Sequence, residues 1–90
     1  MIKYTTNTLN RLEDIFKELG YQIRHGRGNF KSGSCLIEEK KVIVMNKYFS
    51  IESRINSLLE MLNTIEPDVA YLSQSNRNFY YKIVETPTLL

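Results

Sequence analysis

Residues 32–65 read SGSCLIEEKKVIVMNKYFSIESRINSLLEMLNTI, and this block decides the fold. Its first half holds two strand-like runs, Ser34 to Glu38 and Lys41 to Asn46, with Glu39-Lys40 at the turn between them. The second run, Val42-Ile43-Val44-Met45, is apolar on both faces and β-branched, so it is expected at the centre of a sheet. Ser50 then offers a hydroxyl that can cap the free amides of a helix start. After it Ile51, Ile55, Leu58, Leu59, Leu62 and Ile65 recur at helical spacing as one buried stripe. Glu52, Arg54, Asn56, Glu60 and Asn63 fall on or near its flanks. Pro67 ends the helix, because its ring clashes with the preceding turn and it has no amide to donate.

Toward the N-terminus, Asn7 or Thr8 is the expected cap of a first helix, in which Leu9, Leu12, Ile15, Phe16 and Leu19 share one face. Glu13, Asp14, Lys17 and Glu18 are expected on the solvent side of that helix. Gly20 stops it, since a glycine enters the left-handed region without a Cβ clash. Tyr21 to His25 alternates as a short half-buried strand, with Tyr21 and Ile23 inward. Gly26, Gly28 and Gly33 make the next segment a loop. Toward the C-terminus, Ser73 can cap a helix carrying Phe79, Tyr80, Ile83 and Val84. The aromatic and β-branched content of Phe79 to Val84 also fits a strand; the helix is the preferred reading. Residues 86–90 read as a loose tail.

The expected fold is therefore a single α+β domain over residues 1–85. An N-terminal helix leads into a small antiparallel sheet of about three strands, and a second amphipathic helix packs on the same face. A C-terminal helix (or strand) closes it. The expected core is Leu12, Ile15, Phe16, Leu19, Ile23, Leu36, Ile37, Val42, Val44, Ile55, Leu58, Leu59 and Leu62.

Composition narrows the functional classes. A chain of 90 residues makes one small core at most, and a 42% apolar, 24% charged content places it among globular proteins rather than disordered ones. The net charge of +2 lacks the basic excess of a general nucleic-acid binder. Cys35 is the only cysteine, which leaves no internal disulfide and favours a reducing compartment. No apolar run follows Met1 and none reaches the length of a membrane span, so a cytoplasmic protein without a membrane partner is expected.

Three pieces of the central block bear on chemistry: Val42-Ile43-Val44-Met45-Asn46, Arg54-Ile55-Asn56-Ser57-Leu58 and Leu59-Glu60-Met61-Leu62-Asn63. Together, over about Gly33 to Ile65, they resemble the hairpin–helix core of the ImmA/IrrE-type zinc metallopeptidases. In that family a hairpin ends near an Asn, and a helix with an Arg-rich start leads into His-Glu-x-x-His. The two histidines, one turn apart, reach a single Zn²⁺, and the glutamate acts as base toward metal-bound water. Here Leu59 and Asn63 replace the histidines, and only Glu60 keeps a motif position. The resemblance thus implies a metal-free degenerate scaffold, not a peptidase.

The other motifs are weaker. Gly28 to Gly33 has the spacing of a phosphate loop but lacks the following Lys-Ser/Thr, and it precedes a strand rather than a helix. It reads as a turn. The same region is basic, with Arg24, His25, Arg27 and Lys31 interleaved with Tyr21 and Phe30. Such a patch can dock an acidic partner surface, or hold a phosphate backbone and stack a base. Cys35, beside Leu36 and Ile37, reads as a small core hydrophobe; a nucleophile would need His25 as its base from a neighbouring strand. Tyr71, Phe79, Tyr80 and Tyr81 either close the core or form a contact surface, Tyr81 being the candidate partner residue and a homodimer one way to cover it.

The expected function is a non-enzymatic protein-interaction or regulatory domain that uses no cofactor or metal, with an unidentified protein or a second copy as partner. The alternative is a nucleic-acid-binding module using the basic loop 24–31. A catalytic role through Glu60 or Cys35 lacks a second catalytic group.

Overall fold

A computed structural model describes residues 3–26 and 33–85. Helix α1 spans Thr6–Glu18, strand β1 Gln22–Gly26, β2 Ser34–Ile37 and β3 Val42–Asn46. Helix α2 spans Ile51–Ile65 and α3 Gln74–Glu85; single 3₁₀ turns at Glu38–Lys40 and Val69–Tyr71 complete the order. This is the α+β fold expected, and residues 74–85 form the helix rather than the strand. The tail 86–90 lies outside the described residues.

The first helix is capped by Thr5, whose hydroxyl accepts from the Thr8 amide at 3.2 Å. The expected caps, Asn7 and Thr8, lie instead inside the first turn. The C-terminus is a Schellman motif. The Tyr21 amide donates to the Phe16 carbonyl at 2.9 Å and the Gly20 amide to the Lys17 carbonyl at 3.0 Å. Gly20 takes φ +94°, and the apolar contact that completes the motif is the Phe16 ring edge-on to Tyr21 at 5.7 Å. That one glycine turns the chain from α1 straight into β1.

The sheet has the order β1-β3-β2, so Val42–Asn46 is central as its apolar sequence requires. It is mixed rather than antiparallel: β2 pairs antiparallel with β3, but β1 pairs parallel with it. Strand periodicity reports which faces are buried, not which neighbour a strand takes, and it could not show that β3 inserts between β1 and β2.

Register sorts the side chains. Ile23, Ile43 and Leu36 lie in one row, and His25, Met45 and Ser34 in the next row on the same face. Helices α1 and α2 cover this face, because Glu13 meets His25 and Met61 meets Ser34. Ile43 and Met45 are fully buried there with Leu12, Ile15, Phe16, Ile55, Leu58 and Leu62. The opposite face carries Val42 with Ile37 and Val44 with Cys35 and Arg24. Val42, expected in the core, is buried, but Val44 is only half-buried, Ile37 is 41% exposed, and the expected core omitted the fully buried Ile43 and Met45. A strand apolar on both faces leaves its parity open, and only the docked helices decide it. Leu72, from the turn before α3, joins the core, and Phe79, Tyr80 and Ile83 of α3 pack against it.

Candidate functional site

Of the basic cluster read from the sequence, the described members Arg24 and His25 are not brought together. Arg24 and His25 are neighbours on β1, so the pleat turns them to opposite faces. Arg24 is exposed on the outer face of the sheet, in register with Val44. His25 Nε2 lies 3.6 Å from Glu13 Oε2 on the helix-covered face, and Glu13, expected in solvent, is buried, only 7% exposed. Arg27 and Lys31 lie outside the described residues, as does the glycine-spaced segment 27–32. Tyr81 is 42% exposed on α3.

The Cys35–His25 pairing is also excluded. Their strands are separated by β3, a span of about 10 Å at the usual strand spacing. Cys35 shares a row with Val44 and His25 a row with Met45, so the two side chains also take opposite faces.

What the fold does assemble lies along β2. This strand is at the edge of the sheet, and between it and α2 runs a groove of about 340 Å³. Ser34, Cys35 and Leu36 form one wall; Ser57, Glu60, Met61 and Thr64 form the other. The spacing on α2 explains the second wall, since positions 57, 60, 61 and 64 follow the 3, 1, 3 rhythm of one helix face. That face lies beside the Ile55–Leu58–Leu62 stripe which anchors α2 to the core.

Backbone contacts fix the groove's width at one end. The Gly33 amide donates to Ser57 Oγ at 3.1 Å, and its carbonyl accepts from the Asn46 amide at 2.8 Å. A Cβ on Gly33 would stand 2.7 Å from the backbone of Arg54 and Ser53. Only glycine lets the strand start so close to the helix. Ser50 holds the helix start, accepting from the Ser53 amide at 3.1 Å. Asn46 Oδ1 accepts from the Tyr48 amide at 3.1 Å and shapes the turn from β3 into α2.

The ladder also orients the edge. Because Asn46 donates to Gly33, residues 33, 35 and 37 exchange hydrogen bonds with β3, and the alternate residues point their backbone groups outward. The Leu36 amide and carbonyl thus point away from β3, out of the sheet edge. Glu60, on the α2 wall of the groove, is exposed, and its carboxylate makes no ion pair or hydrogen bond among the described residues. Its backbone carbonyl accepts from Thr64 Oγ1 at 2.9 Å.

Leu59 packs against the core cluster and Asn63 is exposed, so neither flank of Glu60 offers a metal ligand. Among the described residues no three of His, Cys, Asp and Glu come together in a group that could hold a metal ion. The residues present do not fit the zinc that the degenerate motif brings to mind. No helix among them is long and apolar enough to cross a membrane.

Sequence reading singled out Glu60 but not the groove it lines. It assigns Ser57, Met61 and Thr64 neither to the buried stripe nor to its flanks, and Leu36, expected in the core, does pack against it while also lining the groove. The signal that was available is the short strand at one end of the block, since one strand of any such hairpin stands at an edge. No protein-family model, curated protein or solved structure matches the chain.

Proposed function

We propose that the domain is a non-enzymatic protein-interaction module that docks an extended segment of its partner along β2. The observation that carries this reading is the groove itself. One wall is an edge strand whose Leu36 backbone groups point outward, and the other is a helix face bearing the Glu60 carboxylate, unpaired among the described residues. Strand addition uses the first for main-chain hydrogen bonds and the second for side-chain selection. The metal-free zincin-like scaffold belongs to the same proposal, with Glu60 serving recognition in place of catalysis. The nucleic-acid alternative leans on Arg27 and Lys31 and gains no second observation from the placement of Arg24 and His25.

The test is a pull-down from source-cell lysate with the wild-type chain and Leu36→Pro, each with and without nuclease. Proline removes an outward amide and spares the ladder to β3 but also loses a side chain packed against the core, so the amide NMR spectrum of the variant checks that it is folded before capture is compared. The expected result is a stoichiometric protein retained after nuclease by wild type and lost by Leu36→Pro. Equal capture by both variants would reject the β2 edge as the contact. Recovery only without nuclease would put the nucleic-acid reading in its place.

A further inference from the structure

The groove's two walls differ in chemistry, and the difference specifies a partner. This inference rests on the docking of an extended segment along β2 and adds what that segment must carry. Ser34 and Leu36 project on the helix-facing side of the strand. A segment paired beside them places every second side chain on that same side, against α2. There it meets apolar Met61 and Leu36 and the carboxylate of Glu60, the only charged side chain among the described residues lining the groove. Met61 and Glu60 are consecutive on the helix, so adjacent groove-facing side chains of the segment can reach one each.

We infer that the partner segment is an extended strand carrying a basic and an apolar residue two positions apart, both facing the groove. The basic side chain, Lys or Arg, pairs with Glu60; the apolar one packs on Met61 and Leu36. The intervening residue points to the outer face of the sheet, where Ile37 and Val44 lie, and carries no charge requirement from Glu60. Charge complementarity also disfavours a second copy as occupant. Pairing β2 with its own copy about a two-fold axis would draw the two Glu60 carboxylates toward each other, and like charges in juxtaposition oppose association.

The deciding experiment is selection of a displayed random octapeptide library on the full 90-residue chain, run in parallel on wild type, Glu60→Gln and Glu60→Lys. Glu60 is exposed on the helix, so both variants should fold, which the amide NMR spectrum of each checks. Wild type is expected to enrich peptides with Lys or Arg two residues from an apolar residue. Their amide shifts should map to residues 34–37 and 57–64. Synthetic copies of those peptides should bind Glu60→Lys about fivefold or more weakly, as expected when an exposed pair becomes a repulsion. Glu60→Lys should itself enrich acidic peptides. Peptides that shift the same residues but show no basic preference, or bind all three proteins equally, would overturn the charge assignment and leave strand docking standing. Shifts mapping elsewhere, or no enrichment, would overturn both.

Discussion

The two flanks of this molecule treat their polar groups in opposite ways. At the junction of α1 and α3 the acidic residues are satisfied from within. The Asn76 side-chain amide donates to Asp14 Oδ2 at 2.8 Å and to Glu18 Oε1 at 3.0 Å, and the Ser73 amide donates to Glu18 Oε1 at 2.8 Å. Asn76 is buried, only 5% exposed, and Arg11 closes the rim by stacking on Phe79 at 4.3 Å and reaching Ser75. Along β2 and α2, by contrast, no described strand pairs with the outer edge of β2, and the Glu60 carboxylate has no partner among the described residues. Both flanks carry carboxylates on a helix surface. What separates structural from available ones is whether a donor from a distant element arrives, and α3 supplies that donor on one side only.

The largest way to break this contrast is Gly33→Ala. The added methyl meets backbone, which cannot rotate away, so β2 must withdraw from α2. A loss of about 3 kcal/mol is expected in urea unfolding, toward the upper end for overpacking. A loss below about 1 kcal/mol would show that the close approach is not enforced.

Asn76→Ala attacks the closed flank. It leaves the Asp14 and Glu18 carboxylates facing a site without its donor, and about 2 kcal/mol should be lost. Ser50→Ala, which removes the cap of α2 beside the groove, should cost about 1 kcal/mol and lower the helical signal slightly. Glu60→Gln should change stability by less than about 0.5 kcal/mol, since nothing in the fold depends on its charge. A larger effect would mean that Glu60 serves the fold as Glu18 does.

The same contrast can be sharpened with pH. The Ser73 backbone amide, and then the Asn76 amide, hold Glu18 below the usual carboxylate range. A carboxyl lowered in the folded state binds fewer protons there than when unfolded. Its contribution is therefore present above the unfolded value of about 4.3 and is lost as pH falls through the lower folded value. In an NMR titration the Glu18 carboxyl should titrate below the ordinary glutamate range, and Glu18→Gln should remove that part of the acid dependence. A Glu18 midpoint at or above the ordinary range would remove the closed-flank account of that residue.

Much of this fold was legible from short-range chemistry. Ser50, Pro67, Ser73 and Gly20 punctuate helices by local hydrogen bonding and φ limits, so they act wherever the chain folds. The helical stripe of α2 and the central place of β3 follow from spacing and apolar content. Less of the candidate site was legible. Arg24 and His25 looked like one patch because they are adjacent in sequence, yet adjacency in a strand means opposite faces. Glu13 looked like a solvent residue because α1 periodicity does not reveal that β1 brings His25 within 3.6 Å.

The sequence by itself determined the α+β class, the order of α1, the strands and α2, and the cap of α2, because those depend on interactions within a few residues. Tertiary structure alone decided that β1 runs parallel to β3, that Ile43 and Met45 rather than Val42 and Val44 face the helices, and that β2 is left at the edge beside Glu60. Each of those is a choice between partners far apart in the chain. A pattern that is apolar on both faces satisfies either choice equally, so only the packing of whole elements against one another can make it.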